Sequence, residues 1–300
     1  MSRRSRTDAD LPPSLLLVDK AAGMTSHDVV ARARRVLSVR RVGHAGTLDP
    51  MATGLLILGV GTATRLLGHV GGHDKTYEAT IRLGQATVTD DREGEVLATT
   101  SAAHVTDDDV RAALAAQIGE LRQVPSAVSA VKVAGRRAYD RIRAGEEVEL
   151  APRAVTVSRL DVHRIARPTP ELVDVDVTVT CSAGTYIRAI ARDAGAALGV
   201  GGHLTMLRRT KVGRYDLAAA RSLDEIAESF SVLPLAEAAA AEFARRDVSA
   251  EEAQRVAHGA ALPAVGLGPG PVAVFGPDGE LLALVQEQAG RAKPLAVFVP

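Results

Sequence analysis

One cysteine, Cys181, stands in the whole chain of 300 residues. A lone thiol can close no internal disulfide and build no multi-cysteine zinc site, and it points to a reducing compartment, for which the cytoplasm is the default. Tryptophan is absent and aromatics make up 3% of residues, so every Tyr beside a polar motif stands out. No run of about 18 apolar residues occurs, which leaves membrane spanning without support. Segment 1–11 is polar and basic, lacks the apolar stretch of a secretion signal, and reads as a disordered tail. An excess of either charge is missing too, since 36 Lys and Arg balance 36 Asp and Glu, and taken alone that argues against a nucleic-acid partner. The balance hides an uneven distribution. Residues 1–75 hold 11 basic against 6 acidic side chains, residues 121–170 hold 10 against 5, and residues 181–216 hold 6 against 2. Brought together in space, these blocks make a positive cleft on a neutral protein, enough for phosphate contacts.

With 46% hydrophobic residues the chain can bury a large domain and a small one. Leu15 to Val18 reads as a strand, followed by a helix over 27–37 with Ser26 as N-cap and Asp28 in its first turn. Leu55 to Val60 and Thr76 to Leu83 read as strands. Thr106 with Asp107, Asp108 and Asp109 opens a helix to about Ile118 that closes at Gly119. Val173, Val175, Val177 and Val179 alternate with polar residues, the pattern of a half-buried antiparallel strand. A helix from about Thr185 to Gly199 carries Ile187, Ile190, Ala194 and Leu198 on one face, with Arg188 and Arg192 one turn apart on another. Antiparallel-type strands interrupted by helices favour an α+β fold with a mixed, largely antiparallel sheet over a doubly wound parallel one. Residues 122–152 are basic and poor in large apolar side chains, with Arg122, Lys132, Arg136, Arg137, Arg141 and Arg143 around a turn, and read as an extended solvated arm. After residue 230 the composition changes. Strand candidates Val272 to Phe275, Leu281 to Val285 and Leu295 to Val299, with a turn at Pro277-Asp278-Gly279, outline a small β-rich module over 245–300.

The densest local signal is Gly43-His44-Ala45-Gly46-Thr47-Leu48-Asp49-Pro50-Met51-Ala52-Thr53-Gly54. Three glycines let the backbone take positive φ and approach a ligand closely, while Pro50 fixes its own φ and drives Asp49 toward an extended conformation. An ordinary loop in which Asp49 caps a turn would use the same residues. Tyr77 in Lys75-Thr76-Tyr77-Glu78, the pair Tyr186 and Arg188 at a helix entrance, and the run Leu207-Arg208-Arg209-Thr210-Lys211 are the other candidates. Singly, each also fits a rim tyrosine, a surface arginine or a turn histidine.

In this order the motifs resemble one family, the TruB-type tRNA pseudouridine synthases, over most of residues 12–216. The resemblance rests on GHAGTLDPMATGLL, on Lys75-Thr76-Tyr77, on the acidic turn with Leu83-Gly84, Thr87, Thr89, Asp91 and Gly94, on the arm motif from Ser129 to Tyr139, on Cys181-Ser182-Ala183-Gly184-Thr185-Tyr186-Ile187-Arg188, and on Leu207-Arg208-Arg209-Thr210. Ser126 and Val128 depart from it, where the family usually carries a proline and a tyrosine. The resemblance implies a pseudouridine synthase domain over 12–230 with the inserted arm, and a small PUA-like domain over 245–300. It implies isomerisation of the T-loop uridine at position 55 of transfer RNA, by base flipping and without metal or other cofactor. Asp49 is then the nucleophile, Arg188 its fixed counter-charge, and Tyr77 the ring that stacks on the flipped uracil. His44 fills the space the base leaves, Tyr186 and Leu207 line the pocket, and Lys20, Asp91 and Lys132 are further substrate-binding residues. The partner implied is the T-arm of transfer RNA, with no membrane, no obligate protein partner and a monomeric state. A tRNA-binding or tRNA-folding protein without chemistry, and a pseudouridine synthase acting on another RNA, are the alternative readings.

Overall fold

The computed structural model describes residues 11–126, 132–133, 136–137, 150–229 and 231–299. Its first fourteen strands are β1 (Ser14–Lys20), β2 (Val42–Ala45), β3 (Thr53–Val60), β4 (Lys75–Leu83), β5 (Gln85–Thr87), β6 (Val96–Thr99), β7 (Gly119–Gln123), β8 (Lys132–Val133), β9 (Arg136–Arg137), β10 (Arg153–Thr169), β11 (Leu172–Cys181), β12 (Gly202–Val212), β13 (Tyr215–Asp216) and β14 (Leu233–Pro234). Ten of them form one sheet in the order β14-β1-β3-β12-β4-β11-β10-β7, with β2 on β3 and β13 on β12. Every pairing in it is antiparallel except β12 on β3, which is parallel over Arg208↔Thr53 and Arg209↔Gly54. The expected mixed, largely antiparallel α+β architecture is what the chain adopts.

The apolar run of β3 has a simple cause. Leu56 and Leu58 face a core shared with Val29, Ala33 and Leu37 of helix Ser26–Leu37 and with Ile190 and Ala194 of helix Ile187–Ala197. Leu55 and Ile57 point the other way, into a second core with Leu235 and Ala239 and with Ala273, Phe275 and Phe298 of the C-terminal segment. A strand buried on both faces loses its alternation. The C-terminal segment builds its own five-stranded sheet, β15 (Ala244–Asp247), β16 (Leu262–Pro263), β17 (Pro271–Phe275), β18 (Leu281–Gln288) and β19 (Arg291–Val297), in the order β15-β17-β18-β19-β16. Among the described residues no helix is long and apolar enough to cross a membrane.

Four local readings change. The N-cap of the first helix is Thr25, whose hydroxyl accepts the Asp28 N–H while the Asp28 carboxyl accepts from Thr25 in return; this reciprocal capping box frees Ser26 for another contact. The acidic-start helix stops at Ala115, and Gly119 opens β7. The last strand is Arg291–Val297, earlier than the apolar residues alone suggest. The 17-residue β10 has no counterpart in the sequence reading. Its pairing with β11 slips at Val157/Arg159, Val162/Arg164 and Ala166/Thr169, and each bulge shifts the in/out phase, which destroys the period-2 signal. Of the tail read over 1–11, residues 1–10 lie outside the described residues and Leu11 is buried in the core; most of the basic arm also lies outside them, and its two-residue pair β8 and β9 is described in backbone only.

The parallel β3–β12 step depends on one residue. Gly54 has φ +97°, and a Cβ built there would lie 2.3 Å from the Arg209 carbonyl oxygen. No side chain fits between these backbones. Gly54→Ala is therefore expected to destabilise the protein by about 3 kcal/mol or more, whereas Gly68→Ala, with nothing within 4 Å of its Cβ position, should be close to neutral. Denaturant midpoints of the two variants check this.

Candidate active site

Asp49 sits on a loop whose backbone is held from three sides. The Ser26 hydroxyl accepts the Leu48 N–H at 2.9 Å and donates to the Leu48 carbonyl at 3.1 Å. Lys20 Nζ donates to the carbonyls of Met24 (2.7 Å), Ala21 (2.9 Å) and Pro50 (3.2 Å), and the Gly23 N–H also donates to Pro50. Arg209, 1% exposed, donates from Nε to Leu55 O at 2.7 Å, from Nη2 to Gly46 O at 3.1 Å and from Nη1 to Thr47 O at 3.4 Å. Residues on both sides of Asp49 are thus fixed by donors from β1, the first helix and β12. Lys20 pays part of this in its own titration, since burial lowers it to about 8 against an opposing pull from Asp49.

Arg188, in the first turn of helix Ile187–Ala197, meets this loop. Its Nη2 donates to Asp49 Oδ1 at 3.2 Å, and its Nε lies 2.9 Å from Asp49 Oδ2. On its other side Nη1 donates to the Thr89 carbonyl at 2.8 Å and lies 3.4 Å from Asp91 Oδ2. Asp91 is itself held, accepting from the Thr89 hydroxyl and the Glu93 N–H. Side-chain exposure separates the three groups: Arg188 is 5% exposed and Asp91 4%, but Asp49 is 34% exposed. Only Asp49 is open to a ligand. Burial pushes its carboxyl above the ordinary carboxylate range, Asp91 adds to the push, and the Arg188 guanidinium opposes both.

Asp49 opens into a cleft of about 280 Å³, near the lower limit of about 300 Å³ for ligand pockets. Besides residues 46–49 its walls are Gly71, Lys75, Tyr77, residues 184–188, Leu207 and Arg209. Strand geometry explains the grouping. Lys75 and Tyr77 are two apart on the buried face of β4, and Arg209 pairs with Tyr77 across to β12. Tyr77 is 7% exposed, and burial raises its phenol above the usual value with Arg209 opposing, so the hydroxyl keeps its proton at neutral pH. Tyr186 is fixed through its backbone, its N–H donating to Gln123 Oε1 (2.8 Å) and its carbonyl accepting from Gln123 Nε2 (3.0 Å). Lys75 Nζ donates to the Gly71 and His73 carbonyls at 2.9 and 2.8 Å, holding the opposite wall.

Of the residues singled out in the sequence, Asp49, Tyr77, Arg188, Tyr186 and Leu207 converge on this one cleft. Asp91 lies behind Arg188, away from the ligand space. Lys20, at 1% exposure, is spent on three carbonyls beneath the loop; the structure gives it a supporting place where a substrate contact was expected. His44 lies on β2, outside the cleft walls, with its ring edge-on to His27. Burial lowers its pKa, with His27 and Arg209 contributing, so it stands there as a neutral ring. The Lys132 side chain lies outside the described residues. Gln123 was not anticipated, Ser26 was read only as a helix cap, and Arg209 stood in the candidate run over 207–211 without an assigned role. Arg209 had a signal: it falls in phase with Leu207 on a strand bounded by buried Leu204 and Val212, and a charge on the buried face of a strand needs partners.

Three family models match the chain from residue 34 onward. The TruB family pseudouridylate synthase N-terminal domain matches residues 34–187, the tRNA pseudouridylate synthase B C-terminal domain residues 188–239, and the tRNA pseudouridine synthase II C-terminal domain residues 243–299. The tRNA pseudouridine synthase B of Thermobifida fusca is 57% identical over 287 residues, 95% of this chain and 98% of that protein. The protein of the same name from Arthrobacter sp. (strain FB24) is 56% identical over 297 residues, 95% and 96% of the two chains. Among solved structures, a chain in the crystal structure of a Cbf5-Nop10-Gar1 complex superposes with a TM-score of 0.72 at 26% identity, over 96% of this chain and 85% of that one. With family models spanning the loop of Asp49, the strand of Tyr77 and the helix of Arg188, and relatives alike over nearly their full length, the chain belongs to the TruB family of pseudouridine synthases.

Proposed function

We propose that this protein isomerises uridine 55 in the T-loop of transfer RNA to pseudouridine, acting as a monomer in the cytoplasm without a protein partner. Residues 12–230 form the catalytic domain, from which the basic arm over 122–152 grips the RNA, with Lys132 among its contacts, and residues 245–300 form the small PUA-like domain. The observation that carries the reading is a single carboxyl group, Asp49, open to a base-sized cleft and backed by a buried guanidinium. The naming of full-length relatives as tRNA pseudouridine synthases supports the choice of RNA.

The reaction breaks the N1–C1′ bond and joins C5 to C1′; the C5 proton is lost to solvent and N1 gains one. No electrons are exchanged, so the reaction needs a nucleophile, a pocket that keeps water from the reacting carbon, and an acceptor that passes the C5 proton on, for which Asp49 is the one carboxyl group among the described residues of the cleft. The base must first leave its stack, at a cost of a few kcal/mol that contacts in the cleft repay. Asp49 supplies the nucleophile. Arg188 favours its charged form in a site where burial opposes it, and the planar fork of arginine suits both contacts to Asp49 while serving Asp91 on its far side. Tyr77 stacks on the extruded uracil, and its retained proton suits a stacking or donating role over that of a base. Tyr186 and Leu207 close the pocket around the ring, and His44, a neutral ring outside the cleft walls, takes the space the base vacates in the RNA.

Release of tritium from a tRNA transcript labelled at uracil C5 tests the activity. Wild type should release it, Asp49→Asn should not, and a transcript with cytidine in place of the T-loop uridine should give nothing; release from the cytidine transcript would mean another target. The roles of the Tyr77 ring and hydroxyl separate in a second pair of variants. Tyr77→Leu should lose at least about 100-fold in single-turnover rate, equivalent to about 2.7 kcal/mol, and Tyr77→Phe should lose far less. Equal losses would assign the hydroxyl a chemical role.

A further inference from the structure

The start of the first helix, bonded to the cleft wall at Leu48, carries a group with no role so far. Ser26 is buried, and its hydroxyl exchanges hydrogen bonds with both the N–H and the carbonyl of Leu48, the residue before Asp49. Gly23 and Lys20 tie the preceding turn to Pro50, the residue after it. The entrance of the first helix is therefore locked to the nucleophile's loop on both sides. His27, one residue past Ser26, is exposed, and its ring meets His44 edge to face, with centroids 5.5 Å apart and planes at 78°. The cap of this helix is satisfied by Thr25 and Asp28, so the imidazole of His27 is not needed there. An exposed polar ring on a support bonded to Leu48 of the cleft wall, packed against His44 two residues before Gly46 of the same wall, is placed to meet RNA drawn toward the site.

We propose that His27 is a substrate-binding residue whose imidazole contacts the ribose-phosphate backbone of the T-loop beside the extruded nucleotide, with His44 as its packing partner. This rests on the reading of the protein as a tRNA-modifying enzyme. The two histidines divide the work by exposure. His44, half-buried and neutral, fills space within the T-loop, while His27, exposed beside it, offers an N–H to an acceptor oxygen of the RNA strand that passes the first helix. Contacts of this kind set register and orientation, so His27 bears on binding and not on the chemical step.

The test compares His27→Ala, His27→Asn and His27→Phe by transcript Kd and by single-turnover rate at saturating RNA. Loss of one hydrogen bond predicts a Kd raised about fivefold to tenfold in His27→Ala, with the saturated rate within about twofold of wild type and the thermal midpoint unchanged. His27→Asn should recover part of the affinity, since it restores a donor. His27→Phe should not, since it restores only the ring edge toward His44. An unchanged Kd in His27→Ala, or full recovery with Phe, would overturn the proposal, the second outcome by reducing His27 to a packing support. A wild type that binds the transcript but converts nothing would refute the functional reading, and the Kd comparison would still decide this one.

Discussion

The site depends on one arginine placed between two carboxyl groups. Arg188 spends one side on Asp49 and the other on Asp91 and the Thr89 carbonyl, and it is almost wholly removed from water. A guanidinium so enclosed needs acceptors on both sides, because an unpaired buried charge costs several kcal/mol. Asp91 and Thr89 supply them on the far side, so the face toward Asp49 is held in place before any RNA arrives. The geometry resolves a conflict built into the chemistry. A carboxylate attacks best when dry, yet drying it raises its pKa and favours the uncharged acid. The opposing charge must be fixed, permanent and close, and a helix first turn provides that.

Much of the rest of the molecule serves to bring the two partners together. Asp49 comes from the loop before β3 and Arg188 from the helix after β11, about 140 residues apart in sequence. β12 joins them in space, lying between β3 and β4 and sending Arg209 into the carbonyls of the Asp49 loop. That approach requires Gly54, where the β3 and β12 backbones nearly touch. The loop is thus clamped by β12 from one side and by Lys20 and Ser26 from the other. Several buried polar side chains that look like catalytic candidates are structural donors, each meeting carbonyls that a tight loop leaves without ladder partners.

How much of this could be read from the sequence follows from the kind of signal each part leaves. Asp49 announces itself because glycines free the backbone around it while Pro50 restrains it, and β11 because its valines alternate without interruption. Tyr186, Arg188 and Leu207 gathered where the motif order implied, in one cleft with Tyr77. The β10 strand stayed hidden behind its bulges, and β12 behind a run of basic residues that resembles a surface segment until its buried phase is known. Lys20 shows the limit most plainly: a lysine beside a turn next to the motif is compatible with a substrate contact or a loop clamp, and only the three carbonyls within reach of Nζ decide. Ser26 passed for a helix cap because Thr25 and Ser26 are both competent caps, and the choice turned on Leu48, 22 residues further along.

The central claim is that a fixed guanidinium keeps Asp49 ionised in a pocket that disfavours charge. The pH dependence of the single-turnover rate, compared between wild type and Arg188→Lys, addresses it most directly. Raising the pH ionises Asp49, so the rate should rise with pH through an acid limb lying above the ordinary carboxylate value of about 4. In Arg188→Lys the opposing charge is a single point in place of a fork, so the limb should move to higher pH and the plateau rate should fall at least about tenfold. An acid limb at the same pH in both proteins, with a matching plateau, would contradict the account and leave Arg188 as a structural residue only.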